Sequence, residues 1–431
     1  MVAGIGATGH ASGDQPNADG NAPDGGRNRV SFSEPVRLNP PGKYGYEPSV
    51  NVDQFGTIYA TAHKASVVNE GTQLASFFWY SADGGETWHD MPSPADVDDK
   101  LFAFEGHIAV DDAGAVYYCD TDLGDNTFSR WLTEPSGPVY DLSKVQGTTA
   151  VDDRPWLRAH GDGIVHYLGN NGTDVPAPNN EPGERSRIWY YRSTDGGLTW
   201  SPGHGFANTE YLSLAASDDE RTVYAAGPSE KSDGTYFEVF TSPDRGQSWT
   251  RDTKVEQYET APSEPFHAWS ATDRAANPYH FWIDDDPSDD VPGRLKLTRG
   301  EAGNWETLDV TPFDGTFAKP WIGAGRDGLV AAVFYGAEQV THTSDQPRQW
   351  YPYALVSTNA TDPNPRWQLS RLTDYRVGTQ AVAPGHMFEV VVGPADRIHV
   401  TFARELDSAG TVSNPTRTYR NNLFYTQGRV G

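Results

Sequence analysis

Seven short segments along the chain each place a potentially reactive side chain at the start of an apolar run. Aligned, they put Glu47, Glu105, Arg154, Tyr211, Phe266, Lys319 and Met387 at one position. His107, Asp152, Asp153, Glu264, His267, His386 and Glu389 fall nearby. This mixture suits acid–base chemistry. Two carboxylates ~5 to 10 Å apart can protonate a leaving group and activate a nucleophile across the bond. Alternatively, a cation that neutralises a substrate carboxylate can assist a His or Tyr base in removing the proton beside it. Glu47, Asp153, Arg154, Tyr211, Glu264, His267 and Lys319 form the candidate catalytic set. His107, His267 and His386 come from three different segments, and with Glu47 or Glu389 they could converge on a divalent ion. Their spacing is not a metal motif, so no cofactor is firmly implied. The competing reading is a rim of solvated charges, because burying unpaired charges costs several kcal/mol. Trp156, Trp269 and Trp321 lie just inside three of the runs. They suit either a sugar-stacking platform or core packing, and packing is the preferred expectation.

The elements that must position these residues are hairpins. Each segment reads as an apolar strand, a turn containing Asp or Gly, and a second strand, as in Glu47 through Asp53 and Gly56 to Tyr59. The repeat distance of roughly 50 to 70 residues fits four-stranded propeller blades, with these hairpins as the two inner strands. A second pattern, S-x-D-x-G-x-[ST]-W, follows three strand-like runs. It occurs at Ser81–Trp88, Ser193–Trp200 and Ser242–Trp249. The Asp can accept bonds from its own turn, Gly supplies a positive φ, and the Trp packs back beneath. Degenerate copies are expected at Thr298–Trp305 and between Ser357 and Trp367.

The second pattern resembles the Asp-box, or BNR repeat, of sialidase-like β-propellers. The resemblance implies an all-β ring that acts on carbohydrate, with the boxes away from the catalytic face. Asp83, Trp88, Asp195, Trp200, Asp244 and Trp249 are then structural. Sialidases have six blades, whereas the hairpins here number seven, so a seven-bladed ring is expected, with six as the alternative. The family's early Arg-Ile-Pro signature is absent, and Arg154-Pro155 is its nearest echo. The implied activity is therefore broad: a glycoside hydrolase or a polysaccharide lyase working at the central mouth on a glycan. A non-catalytic glycan- or protein-binding propeller is the alternative.

After the seventh hairpin only the strand near Asn422–Tyr425 remains, so Val30–Ser33 is expected to supply the outer strand and close the ring. That gives one propeller domain over 29–431, after a polar, small-residue segment at 1–28 that is expected to be disordered. The net charge of −26 leaves no basic stripe for nucleic acid. Only 8 of the 33 basic residues are Lys, a composition that fits a salt-adapted organism or simply a solvated acidic surface. No run of 18 apolar residues exists to span a membrane. The single cysteine, Cys119, permits no internal disulfide and reads as a buried, inert thiol. An extracellular or cell-surface monomer is expected, although no signal peptide is written in the sequence. The long loop 169–185 suits a lid or rim, and the acidic run 284–290 reads as solvated rather than calcium-binding.

Overall fold

The structure, a computed structural model, describes residues 29–64, 76–92, 105–121, 126–146, 153–170, 174–207, 209, 211–259, 268–284, 291–339, 347–380, 382–385, 387–405 and 421–431. The segment 1–28 lies outside them. The protein is all-β: 29 strands and a single short 3-10 turn are described. No helix among these residues is long and apolar enough to cross a membrane.

Five four-stranded antiparallel sheets follow one another along the chain, over residues 105–146, 153–207, 213–257, 268–309 and 316–371. The remaining strands form one nine-stranded sheet that contains the first and last strands described. Seven separate blades, as expected from the hairpins, are therefore not what the pairing gives. The reason is local. One half of the large sheet runs from Gly45 to Asp90, and the other holds Glu389–Val392, Ile398–Glu405 and Asn421–Val430. A single ladder pair, Asn421 with Gly45, fuses them. Any side chain at Gly45 would collide with the His63 carbonyl and Leu423, so glycine allows this approach. Val30–Phe32 pairs antiparallel with Gly428–Val430 at the outer edge.

The first strand of each hairpin is innermost. These seven strands contact one another in sequence, and the last, Glu389–Val392, returns to the first, Gly45–Val52. Their turns share one device. Asp53 Oδ1 accepts the N–H groups of Phe55 (2.9 Å) and Thr57 (2.8 Å), while Oδ2 accepts the Tyr59 hydroxyl at 3.1 Å. Asp111 and Tyr117 repeat it at 2.7 Å, and Asp273 and Tyr279 at 3.0 Å. In the latter two, Oδ2 also accepts a backbone N–H from the next sheet, Gly163 at 2.9 Å and Gly328 at 3.0 Å. One carboxylate thus shapes its own turn and ties it to its neighbour.

The Asp-boxes form as expected. Ser81 Oγ donates to Asp83 Oδ1 at 2.8 Å, and Asp83 accepts both the N–H and the hydroxyl of Thr87. Asp195 with Ser193 and Thr199, and Asp244 with Ser242 and Ser248, repeat the arrangement. The boxes also join sheets. The glycine two residues after each box aspartate is a socket for an aromatic ring: Gly85 for Tyr425, from the other half of the large sheet, and Gly197 for Phe128 and Gly246 for Tyr190, each from the preceding sheet. The box tryptophan then packs on the same ring, Trp88 on Tyr425 at 5.1 Å, Trp200 on Phe128 at 5.2 Å and Trp249 on Tyr190 at 5.1 Å. Such aromatic pairs add ~0.5–1.5 kcal/mol beyond their burial. The degenerate copy after Ser357 keeps the bonding with Asn359 in place of Asp: its Oδ1 accepts the Ser357 hydroxyl at 3.2 Å and the Arg366 N–H at 3.0 Å. The copy at Thr298–Trp305 does not form a box. It is a tight hairpin in which Glu301 pairs with Asn304, because no Asp stands where the turn would need one. Cys119 is fully buried, as expected.

Burial alone would raise the Asp195 carboxyl, but the bonds from Thr199 and Ser193 outweigh it and hold the group below the usual range. A carboxyl lowered in the folded state adds stability above its unfolded value, about 3.9, and loses it as pH falls below that. Asp195→Ala should therefore cost about 1 kcal/mol at pH 7, like a lost side-chain cap. The deficit should narrow at pH 3, where urea midpoints of the two proteins converge. An equal deficit at both pH values would show that the carboxylate's charge is not what the box uses.

Candidate functional site

Three inner strands bulge at the same place, just before or at a proline. Register shifts fall between Tyr46 and Ser49, between Asp153 and Trp156, and between Ala318 and Trp321. Pro48, Pro155 and Pro320 lie within them; proline has no N–H to give the ladder, so the pairing breaks there. The break has a conformational consequence at the residue before the proline. Glu47 has φ of 51° and Lys319 of 54°, left-handed values that cost a non-glycine residue roughly 1–3 kcal/mol. The Glu47 N–H donates to the Gly385 carbonyl at 2.7 Å. Its carboxylate is buried and lies 3.5 Å from His63 Nε2, which accepts the Gly106 N–H at 2.9 Å. Glu47 is therefore part of a sheet-to-sheet joint rather than of a solvated rim. Lys319 lines a narrow cleft with Trp156, Trp269, Trp321 and Met387, on the face where the inner strands begin.

The remaining candidates divide. Tyr211 is half-buried, just ahead of the inner strand Ser213–Ala216. Asp153 and Arg154 open the inner strand Asp153–His160, with only their backbone described. Glu264, His267 and His386 lie outside the described residues, as do Asp152 and Phe266. Most of the acidic run, 285–290, also falls outside them.

Beneath the cleft the axis is closed by a septum. Trp269 stacks on Trp321 at 21°, and Trp156 meets Trp269 edge-on at 4.6 Å. All three are about 96–97% buried, so they pack together rather than present a sugar platform, and they pack at the axis. His107 sits among them, its ring 5.7 Å from Trp156 and 5.9 Å from Trp321. His107 Nδ1 accepts the Leu157 N–H at 3.2 Å, which leaves Nε2–H to donate to Glu389 Oε1 at 3.2 Å. Both nitrogens are engaged, so the His107 of the proposed metal trio is built into the septum. Among the described residues no group of three or more His, Cys, Asp or Glu is arranged to hold a metal. Burial holds His107 below its ordinary pKa, against the opposing pull of Glu389. Glu389 Oε2 also accepts the Val50 N–H at 3.2 Å. Burial also lowers the Arg158 guanidinium, to about 10, with Glu389 acting in the opposite sense.

Below the septum a cavity of about 490 Å³ opens on the opposite face, the one that carries the Asp-boxes. Arg158, His160, Asp112, Asp218, Arg274 and Glu389 line it. Sequence reasoning directed attention to the starting face and missed this cavity. Its residues lie at the ends of the inner strands and in the turns that follow, where the repeat looked purely structural. The X-Pro dipeptides were the visible signal for the strained bulges.

A family profile described as the BNR/Asp-box repeat matches residues 79–90 and 191–202. No match was found among curated protein sequences. Among solved structures, a polysaccharide lyase, an ulvan lyase bound to an oligosaccharide, has a TM-score of 0.51 at 10% identity, over 90% of this chain and 95% of that one. A Dyadobacter fermentans protein of unknown function has a TM-score of 0.49 at 13% identity, over 93% and 99%. An intramolecular trans-sialidase from Ruminococcus gnavus has 0.40 at 12%, over 89% and 94%. The likeness to the polysaccharide lyase, at 10% identity, concerns the fold alone.

The Arg158–Glu389 relation is testable by stability. Glu389→Gln keeps an acceptor for His107 and Val50 but removes the charge that offsets Arg158. It should cost roughly 1–2 kcal/mol in urea unfolding, as charge-assisted bonds to His107 and Val50 become neutral ones. Adding Arg158→Met should recover part of that loss; strictly additive losses would show that the two charges are independent. Two segments of the chain match the BNR/Asp-box repeat, and its all-β fold of four-stranded sheets resembles the β-propeller fold of the polysaccharide lyase.

Proposed function

We propose that this protein is an exported, carbohydrate-active propeller, a glycoside hydrolase or polysaccharide lyase that works at the axial mouth on the starting face. We count the nine-stranded sheet as two blades, which gives seven in all, with Val30–Phe32 closing the ring. The single ladder pair between its halves and the closed circuit of seven inner strands support that count. The observation that carries the function is the pair of strained positions. An acid and a base, Glu47 and Lys319, stand at equivalent bulges in left-handed backbone, and strain of this kind concentrates at ligand clamps and active sites. Lys319 is suited to holding a substrate carboxylate or a developing oxyanion. Glu47 is suited to proton transfer, with Arg154, Asp153, Tyr211, Glu264 and His267 as further candidates around the mouth. A glycan is the partner, the working form is a monomer, and a divalent ion on His267 and His386 belongs to the lyase form of the reading.

A second reading, glycan binding without turnover, is favoured by one observation. The cleft beside Lys319 encloses only about 10 Å³, less than a sugar ring needs.

A panel of sialosides, neutral glycosides and polyuronates, with and without chelator, separates the readings. New reducing ends alone indicate a hydrolase, and an unsaturated uronate absorbing in the ultraviolet indicates a lyase. Glu47→Gln and Lys319→Ala should each lower kcat/KM by at least about 100-fold in protein that still melts cooperatively. Glycan binding with no product from any substrate would sink the enzyme reading.

A further inference from the structure

A second cavity, of about 700 Å³, lies far from the axis, between the outer edge of the sheet 153–207 and the Asp-box of the sheet 213–257. Its lining is unusual for this chain. The protein carries 59 acidic and 33 basic residues, yet the cavity is lined by Arg192, Arg245 and His204 and by no Asp or Glu. The two nearest box carboxylates, Asp195 and Asp244, are turned inward on their own loops. Glu220, behind the lining, takes Arg192 Nη2 at 2.6 Å and lies 3.8 Å from Arg245 Nε. One carboxylate thus serves two guanidiniums, and Asp219 also acts on Arg245 from behind the lining. Arg192 Nε is buried with no hydrogen-bond partner. The rest of the wall is Trp200, Pro178 and Pro202, with Asn179, Ser201 and Gln247 as polar groups.

Arg245 supplies an independent observation. In the other two boxes the residue after Asp is glycine, Gly84 at φ 77° and Gly196 at φ 68°. Here the same left-handed position, φ 64°, is filled by arginine. Its side chain pairs only loosely with Glu220, at 3.8 Å, while left-handed backbone disfavours a long side chain relative to glycine. The guanidinium is held at the groove against local preference, and such strain points to a ligand.

We propose that this groove binds an acidic oligosaccharide, with its carboxylate or sulfate groups on Arg192 and Arg245 and a sugar ring against Trp200. Guanidinium pairs suit planar, bidentate recognition of such groups, and an aromatic wall with a few placed polar groups suits a sugar. The site is independent of the axial mouth and would hold a polymer without cleaving it.

The test is titration calorimetry with four probes: an oligogalacturonate, a sulfated oligosaccharide of equal length, a neutral oligosaccharide of equal length, and sodium sulfate alone. One or both acidic chains should bind at least about tenfold more tightly than the neutral chain and than sulfate, and which of them binds identifies the anionic group. Arg245→Gly should weaken the acidic ligand about tenfold while the melting temperature stays level or rises. Gln247→Glu, which places a carboxylate in the wall, should weaken it by more. Turnover of short substrates at the axis should be unchanged in both. Equal binding of neutral and acidic chains, or no binding, would overturn the proposal. So would unchanged affinity in both variants, or a lower melting temperature in Arg245→Gly, which would mean that the arginine serves the turn.

Discussion

The ring rests on aspartates that answer two demands at once. A turn at the end of an inner strand exposes N–H groups that need an acceptor, and neighbouring sheets need a contact that fixes their relative height. Asp111 and Asp273 meet both, one oxygen within the turn and the other shared between a tyrosine hydroxyl and the next sheet's glycine N–H. Because each such carboxylate is essentially buried, losing either set of bonds would leave acceptors in an apolar setting, where an unsatisfied group costs ~1–3 kcal/mol. Sheet spacing and turn shape are therefore not independent, and everything nearer the axis inherits that rigidity.

On this frame the axis is divided rather than open. Three indoles, one neutral imidazole and the facing charges of Arg158 and Glu389 close it at mid-depth. The starting face keeps the strained acid and base, and the opposite face keeps the larger axial cavity. Trp321 lines both spaces, so they share a wall in the septum. A ligand at one face meets a wall already packed from the other side, which favours preformed recognition over closure around the ligand.

What the sequence shows and hides follows from the range of the interactions. The boxes were legible because their bonds link residues two to four apart, as from Ser193 to Asp195 and from Thr199 to Asp195. The inner hairpins were legible for the same reason. The septum was not, since His107 and Glu389 are 282 positions apart and neither carries a local signal. The degenerate copy at Thr298–Trp305 misled because Thr and Trp matched while the Asp, which makes the bonds, was missing. The same residue type also changed meaning with context. The carboxylate of Glu47 was read as one of the catalytic candidates at the mouth, and its burial against His63 became clear only once the two strands of its hairpin were paired. The rim groove was hidden for a related reason: Arg192 and Arg245 come from different sheets, and the glycine that Arg245 replaces is visible only when three boxes are superposed.

The glycine sockets carry a consequence for how the chain reaches its native state. Gly85 and Trp88, in the earliest box, receive Tyr425, and Val30 pairs with Val430. The sheet around Gly85 therefore cannot finish its own burial until residues some 340 positions later in the chain arrive. During synthesis the intermediate sheets can assemble in order, each box seated on the ring before it. The earliest box waits, with an indole and a strand edge exposed, until the strand that carries Tyr425 has been made. Contacts of this sequence separation make for slow final folding and a long window of vulnerability to association. An acidic, strongly charged surface is well matched to that wait, because like-charged chains with unfinished edges repel one another.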